Sequence, residues 1–285
     1  MGKMAVGLKR IVDQAIREKI VSLGDMAKTK QHAIENLQTM PSMEQLVASG
    51  HDPLHAIYIN TLNLISFFGE EMSTLPPLHE INDFLSKWHN IYLPSFPPNS
   101  PITNSYFSCW TLLDATFGTD KETVCTCFMA LLDRLHLDPV QIEAANNLNQ
   151  SRMGLYEVIQ GKGKFIELRE LVTDKRLTAL STSGYQGVPG HILLVRLAPP
   201  LANTVDYYVT LTTPYRLIKQ TTEEWLQYFE RHDICPGTVG VDARLQRHMK
   251  YGKTPTYWSE FLFYGYCNYE PESIFRKRLA QPPVI

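Results

Sequence analysis

Two histidine pairs are the first residues in this 285-residue chain whose spacing points to chemistry. In "HDPLH", His51 and His55 stand four apart, the separation at which two imidazoles on one helical turn can share a metal. Glu70, Glu71, His79 and Glu80 follow within thirty residues and could complete a site. Pro53 lies between the two histidines, which places His51 ahead of the helix and turns it elsewhere. No Glu occupies the general-base position of a zinc-protease motif. The second set is His232, Cys235 and His248, with Cys267 as a possible fourth ligand. Cys267 falls in a dense aromatic run, however, where a thiol behaves as a small hydrophobe. The expectation is that no structural metal and no cofactor is bound.

The remaining reactive groups lack the surroundings that would activate them. Cys125 and Cys127 are two apart on a helical pattern, so their side chains diverge by about 200° and share neither a metal nor a disulfide. Five cysteines without regular spacing do not make a disulfide framework, and reduced thiols suit the cytoplasm. "STSG" has neither the strand nor the glycines of a nucleophile elbow. "GKGK" lacks the four-residue gap and the hydroxyl of a phosphate loop and has hairpin-turn composition.

The elements that must position these groups divide the chain by period. Residues 4–23 carry apolar side chains at three-and-four spacing, and 26–37 could continue that helix. Residues 52–72 follow with Asp52 as cap and Pro53 at the first position. Further helices are expected over 78–93, 105–118, 120–137 and 138–150, with a Pro-rich hinge at 94–101. In the helix over 120–137, Asp120 is the starting residue and its acids fill the first turn.

From Met153 the period changes. Strands are expected at 153–160, 164–173, 176–181, 190–198 and 204–212, with "HILLVRL" apolar on both faces and therefore central. After Pro214 the pattern is helical again. Thr222 is expected to cap one helix, and an aromatic-rich one covers 254–269. The fold class is thus α+β: a helical N-terminal domain (1–150), a small five-stranded β barrel or bent sheet (151–220), and a helical C-terminal segment (221–285) packed on the β module.

The β block resembles the small β segment attached to helical proteins in some uncharacterised bacterial families. There a "YEV" strand, an "L-R-x-L-x-T" strand, a Gly/Pro turn and "RL-x-P-P" recur in this order; here they are residues 156–158, 168–173, 188–190 and 196–200. The resemblance covers about a quarter of the chain. It implies a fold element and a bacterial setting, and it assigns no catalytic residue.

Charge is segregated along the chain: net +4 over residues 1–30, −10 over 31–150 and +4 over 151–220. At 44% hydrophobic and 20% charged, the composition excludes a disordered chain. No run reaches the roughly 18–20 apolar residues of a membrane span, so no membrane partner is expected. The favoured reading is a non-catalytic adaptor that binds another protein. Its expected partner-binding residues are Tyr185, Lys162, Lys164, Arg169 and Arg176. Tyr185 is the one large side chain of the Gly-rich loop 181–190, either an exposed anchor or a lid folded over the barrel end. One alternative is nucleic-acid binding through the basic β module, with Tyr156, Phe165 and Tyr185 interleaved among its cations. The other is a metal-dependent hydrolase at His51 and His55.

Overall fold

The structure, a computed structural model, describes residues 1–18, 41–73, 79–97, 99–135, 137–202, 204–218 and 220–251. The helices expected over 26–37 and 254–269 lie outside these residues, as does Cys267.

Helix α1 (Lys3–Glu18) opens the chain. Its first amides donate to distant carboxylates: Lys3 N to Asp120 Oδ2 at 2.5 Å, Met4 N and Ala5 N to the two oxygens of Glu122 at 2.8 and 3.1 Å. Anions there satisfy amides that have no intrahelical partner and oppose the positive end of the helix dipole. The expected helix start at Asp120 is therefore corrected. Lys121 takes a left-handed conformation (φ 51°) and Glu122 bridges back to Phe117, so the chain cannot be helical there. Thr123 is the cap, and the segment becomes two short helices, α6 (Val124–Met129) and α7 (Leu132–Leu135).

Between these lie α2 (Met43–Ala48), α3 (Pro53–Ser73), α4 (His79–Tyr92) and α5 (Asn104–Cys109). Asp52 caps α3 as expected, accepting Leu54 N at 3.0 Å and His55 N at 3.4 Å. The helix expected over 105–118 is two structures: α5 runs into a π-helical turn, Trp110–Asp114, and stops at extended Ala115. Helix α8 (Pro139–Gln150) closes the helical layer. Tyr58 on α3 ties that layer to the rest, accepting from Asn147 on α8 and donating to Pro199 O at 2.7 Å.

Six strands follow: β1 (Met153–Lys162), β2 (Phe165–Glu170), β3 (Arg176–Leu180), β4 (Ile192–Ala198), β5 (Tyr208–Thr210) and β6 (Tyr215–Leu217). Strands β1-β2-β3-β5-β4 form a five-stranded barrel, closed by the β4–β1 pairing, with β3–β5 its parallel pair. The extra strand β6 was not expected. It continues along β4 from β5 after a break at 211–214, where Pro214 precludes a ladder donor. All seven residues of β4 are buried, as the apolar run required. Its alternation explains why. Leu193, Val195 and Leu197 fill the barrel, while Ile192 and Leu194 face a second core built with α4, α5 and the C-terminal helices.

Helices α9 (Thr222–Glu230) and α10 (Val241–Tyr251) cover that outer wall with Trp225, Phe229, Leu245 and Met249. The cap of α9 is Thr221 rather than Thr222, its hydroxyl accepting Glu224 N. Among the described residues, no helix is long and apolar enough to cross a membrane.

Candidate functional site

The rim of the barrel at the β1–β2 turn is built by two backbone segments pressed together. Gly163 and Lys164 turn the hairpin at the end of β1, and the loop 181–191 crosses beside it before β4 begins. A Cβ on Gly161 would lie 1.9 Å from Gln186 O, and one on Gly187 would lie 2.8 Å from Gly161 Cα. Only glycine allows that approach, and Gly187 also has a φ of 73°. Further bonds pin both ends of the loop. Ser181 N donates to Lys164 O at 2.8 Å, Gly190 N to Val158 O at 2.9 Å, and Val158 N to His191 O at 2.8 Å.

Tyr185 is half-buried and packs against the barrel interior. Its hydroxyl accepts from Val188 N at 3.1 Å and lies 2.8 Å from His191 Nδ1. Burial, and then the nearby Arg216 charge, hold His191 below the usual histidine range. A neutral imidazole can accept the tyrosine proton. Tyr185 thus takes the lid position, and the apolar contact of the rim comes from its neighbours. Val188 is 48% exposed at the loop tip, and Ile218, 45% exposed, follows Leu217, which pairs with Ile192 next to His191. Lys162 and Lys164 are exposed on the adjoining turn.

The expected partner-binding residues therefore fall into two groups. Tyr185, Lys162 and Lys164 share this rim. Arg169 and Arg176 pair with each other across β2–β3 towards the opposite end. Arg169 is engaged by Glu157 and by Asp174 at 3.1 Å, whereas Arg176 is exposed. Of the aromatics considered for base stacking, Tyr156 is buried inside the barrel. Phe165 is half-buried, its ring set edge-on to Tyr207 at 5.0 Å.

The histidine pairs need one correction. Pro53 does put His51 ahead of α3, yet His51 does not turn away, because its ring centroid is 5.6 Å from that of His55. The chain bends at Ser49 and Gly50, and His51 Nδ1 folds back within 3.2 Å of Leu46 O. Burial, and then repulsion from His51, push His55 down to about 4. Asp52 is occupied by the α3 amides and by the Tyr207 hydroxyl at 2.6 Å. Glu70 and Glu71 stand fifteen or more residues along the same helix, roughly 22 Å away. The side chains of His79 and Glu80 lie outside the described residues. His232 and His248 do meet, with centroids 4.8 Å apart, but Tyr228 engages both, through its carbonyl at 2.8 Å and its hydroxyl at 3.0 Å. Among the described residues, no group of three or more His, Cys, Asp or Glu is placed to hold a metal ion. Burial pushes the Cys125 and Cys127 thiols up to about 12, away from nucleophilic use.

Sequence reasoning missed an ionic cluster in the interior. Asp114 ends the π turn, Arg196 faces outward from β4, and Lys250 reaches in from α10; their side chains are 4%, 1% and 3% exposed. Arg196 binds Asp114 and also donates to Ser151 O and Oγ at 3.1 and 3.0 Å. Lys250 lies 3.6 Å from Asp114 and donates to Asn149 O and Ser151 O at 2.6 and 3.1 Å. Burial pushes Lys250 below the usual lysine range, with Asp114 opposing and Arg196 adding repulsion. The signal was Arg196 itself, a charge in the middle of a strand read as covered on both faces, which demands a buried counter-ion. The cluster joins the helical layer, the barrel and the C-terminal helices.

The chain matches no family model, no curated protein and no solved structure.

Proposed function

We propose that the protein is a non-catalytic adaptor that docks another protein on the barrel rim carrying Lys162, Lys164, Val188 and Ile218. The observation that supports this reading is the loop 181–191. It is held rigidly by the Gly161–Gly187 approach and by Tyr185, yet it directs an apolar side chain to solvent beside two lysines. A surface fixed before binding loses little conformational entropy on association. Apolar tips flanked by cations suit an acidic partner surface with an apolar centre.

The test is crosslinking in the native cell, comparing the wild type with a Lys162→Glu/Lys164→Glu/Val188→Asp variant and with Arg176→Glu at the far end. The rim variant should lose the crosslinked protein while its melting temperature is unchanged, and Arg176→Glu should retain it. Equal recovery by all three chains would refute docking at this rim. Recovery of nucleic acid, lost in the same rim variant, would favour the polyanion reading instead.

A further inference from the structure

A second surface, in the helical layer, has no part in rim docking. Helices α3, α4 and α5 enclose an open cleft of about 420 Å³, within the size range of small-molecule sites. The seam between packed helices is ordinarily apolar, and α3 obeys that rule elsewhere with Leu54, Tyr58 and Ile65 buried. At the cleft it does not. Ser66 and Glu70 stand four apart on α3, and Ser86, His89 and Asn90 form a matching polar stripe on α4. The floor is apolar: Phe107, Leu112 and Val124.

The π turn supplies part of that floor. Its wider winding presents Thr111 and Leu112 to the cleft while Asp114 turns into the ionic cluster. Such insertions sit disproportionately at functional sites. The hydroxyls of Thr111 and Ser73 donate to their own helices, to Ser108 O at 3.0 Å and Glu70 O at 2.7 Å. The mouth is left to Glu70, Ser86, His89 and Asn90, all exposed. Among the described residues Glu70 is the one carboxylate of the lining, with the Ser66 hydroxyl 3.5 Å from it.

We propose that this cleft binds a small organic cation, a primary ammonium carrying a short apolar body. The ammonium pairs with Glu70 and receives hydrogen-bonding support from Ser86 and Asn90, and the apolar body lies on Phe107 and Leu112. The Glu70 carboxylate at the mouth favours a cationic ligand over a neutral one of the same shape.

The experiment is a ligand-observed NMR titration of the full chain with n-butylammonium, 1-butanol and butyrate, which share a shape and differ in charge. At about pH 8, where imidazole ordinarily carries no charge, butylammonium should bind saturably. It should bind more tightly than butanol by about two- to fivefold, the range for an ion pair at an exposed carboxylate. Butyrate should bind more weakly than both. Glu70→Gln, at an exposed position, should abolish the preference without lowering the melting temperature, and Ser66→Trp should fill the cleft and remove all three signals. Absence of saturable binding, equal binding of the cation and the anion, or an undiminished preference in Glu70→Gln overturns the proposal. Should Ser66→Trp fail to fold, Glu70→Gln decides alone. Neither variant touches the rim, so partner crosslinking remains an independent measurement.

Discussion

Asp114→Asn isolates the charge of the interior ionic cluster from its shape. The asparagine keeps the volume and one acceptor oxygen. Arg196 retains its bonds to Ser151, and Lys250 retains Asn149 O and Ser151 O. What disappears is the counter-charge to two cations whose side chains are 1% and 3% exposed. Breaking a buried pair costs about 3–5 kcal/mol. Two stranded cations argue for the upper end, but Lys250, already pushed down by burial, can shed its proton and limit the loss. An expected cost is about 4 kcal/mol, which at about 2 °C per kcal/mol for a chain of this size lowers the melting temperature by roughly 8 °C. Urea unfolding followed by the fluorescence of buried Trp88, Trp110 and Trp225 measures it. The triple replacement Asp114→Leu, Arg196→Met and Lys250→Met should recover most of the loss, since apolar groups of similar volume commonly match a buried ion cluster. A loss below about 1 kcal/mol in Asp114→Asn would mean that water or relaxation screens the cluster, and the reasoning would fail.

Lys250 also predicts a pH dependence. Its folded pKa is depressed, so the unfolded chain binds the extra proton, and stability should rise as pH climbs from the depressed folded value towards the unfolded value of about 10.4. Lys250→Met should flatten that slope in urea titrations. His55, at about 4 in the fold against about 6.5 unfolded, should make stability fall as pH drops through that interval. His55→Asn should weaken the acid sensitivity, measured as the midpoint of acid unfolding. Gly161→Ala places a methyl 1.9 Å from Gln186 O and must displace the loop, so amide NMR shifts should change over residues 184–190. Tyr185→Phe removes the hydroxyl that bridges Val188 N and His191, and should cost about 1 kcal/mol in denaturant unfolding.

The barrel was legible because its signals are local. Turn-forming "GKGK", a period of two, and the apolar run of β4 are all signals carried within a few residues. The sixth strand of that sheet was not legible, because β6 is three residues long and follows a proline that reads as a stop. The helix start at Asp120 was misread for a different reason. Asp120 and Glu122 look like first-turn acids of their own helix, but they serve α1, 117 and 118 residues away in sequence. No local window contains that partner. The grouping of the rim residues was only partly legible: Lys162, Lys164 and Tyr185 share one end of the barrel, whereas linear proximity hides that Arg169 and Arg176 lie towards the other. Arg196 stood in plain view, but its counter-ion Asp114, 82 residues earlier, and Lys250 on α10 were both beyond a local reading.

The double burial of β4 has a consequence for how the protein is made. Its inner face is satisfied once the five barrel strands have been synthesised, but Ile192 and Leu194 on the outer face also need α9 and α10. Those helices finish about fifty residues after the strand itself. Counted from the end of β5, which completes the barrel, about forty residues remain. At ribosomal rates of about 5–20 residues per second, the nascent chain carries a closed barrel with a partly bare apolar wall for roughly two to eight seconds. Asp114 and Arg196 are already present in that interval and can neutralise each other, whereas Lys250 arrives last, after its counter-ion is in place. The order of synthesis therefore makes the Asp114–Arg196 pair available first and adds the second cation as α10 covers it. The period of greatest vulnerability to aggregation, or to capture by a chaperone, ends when α10 docks.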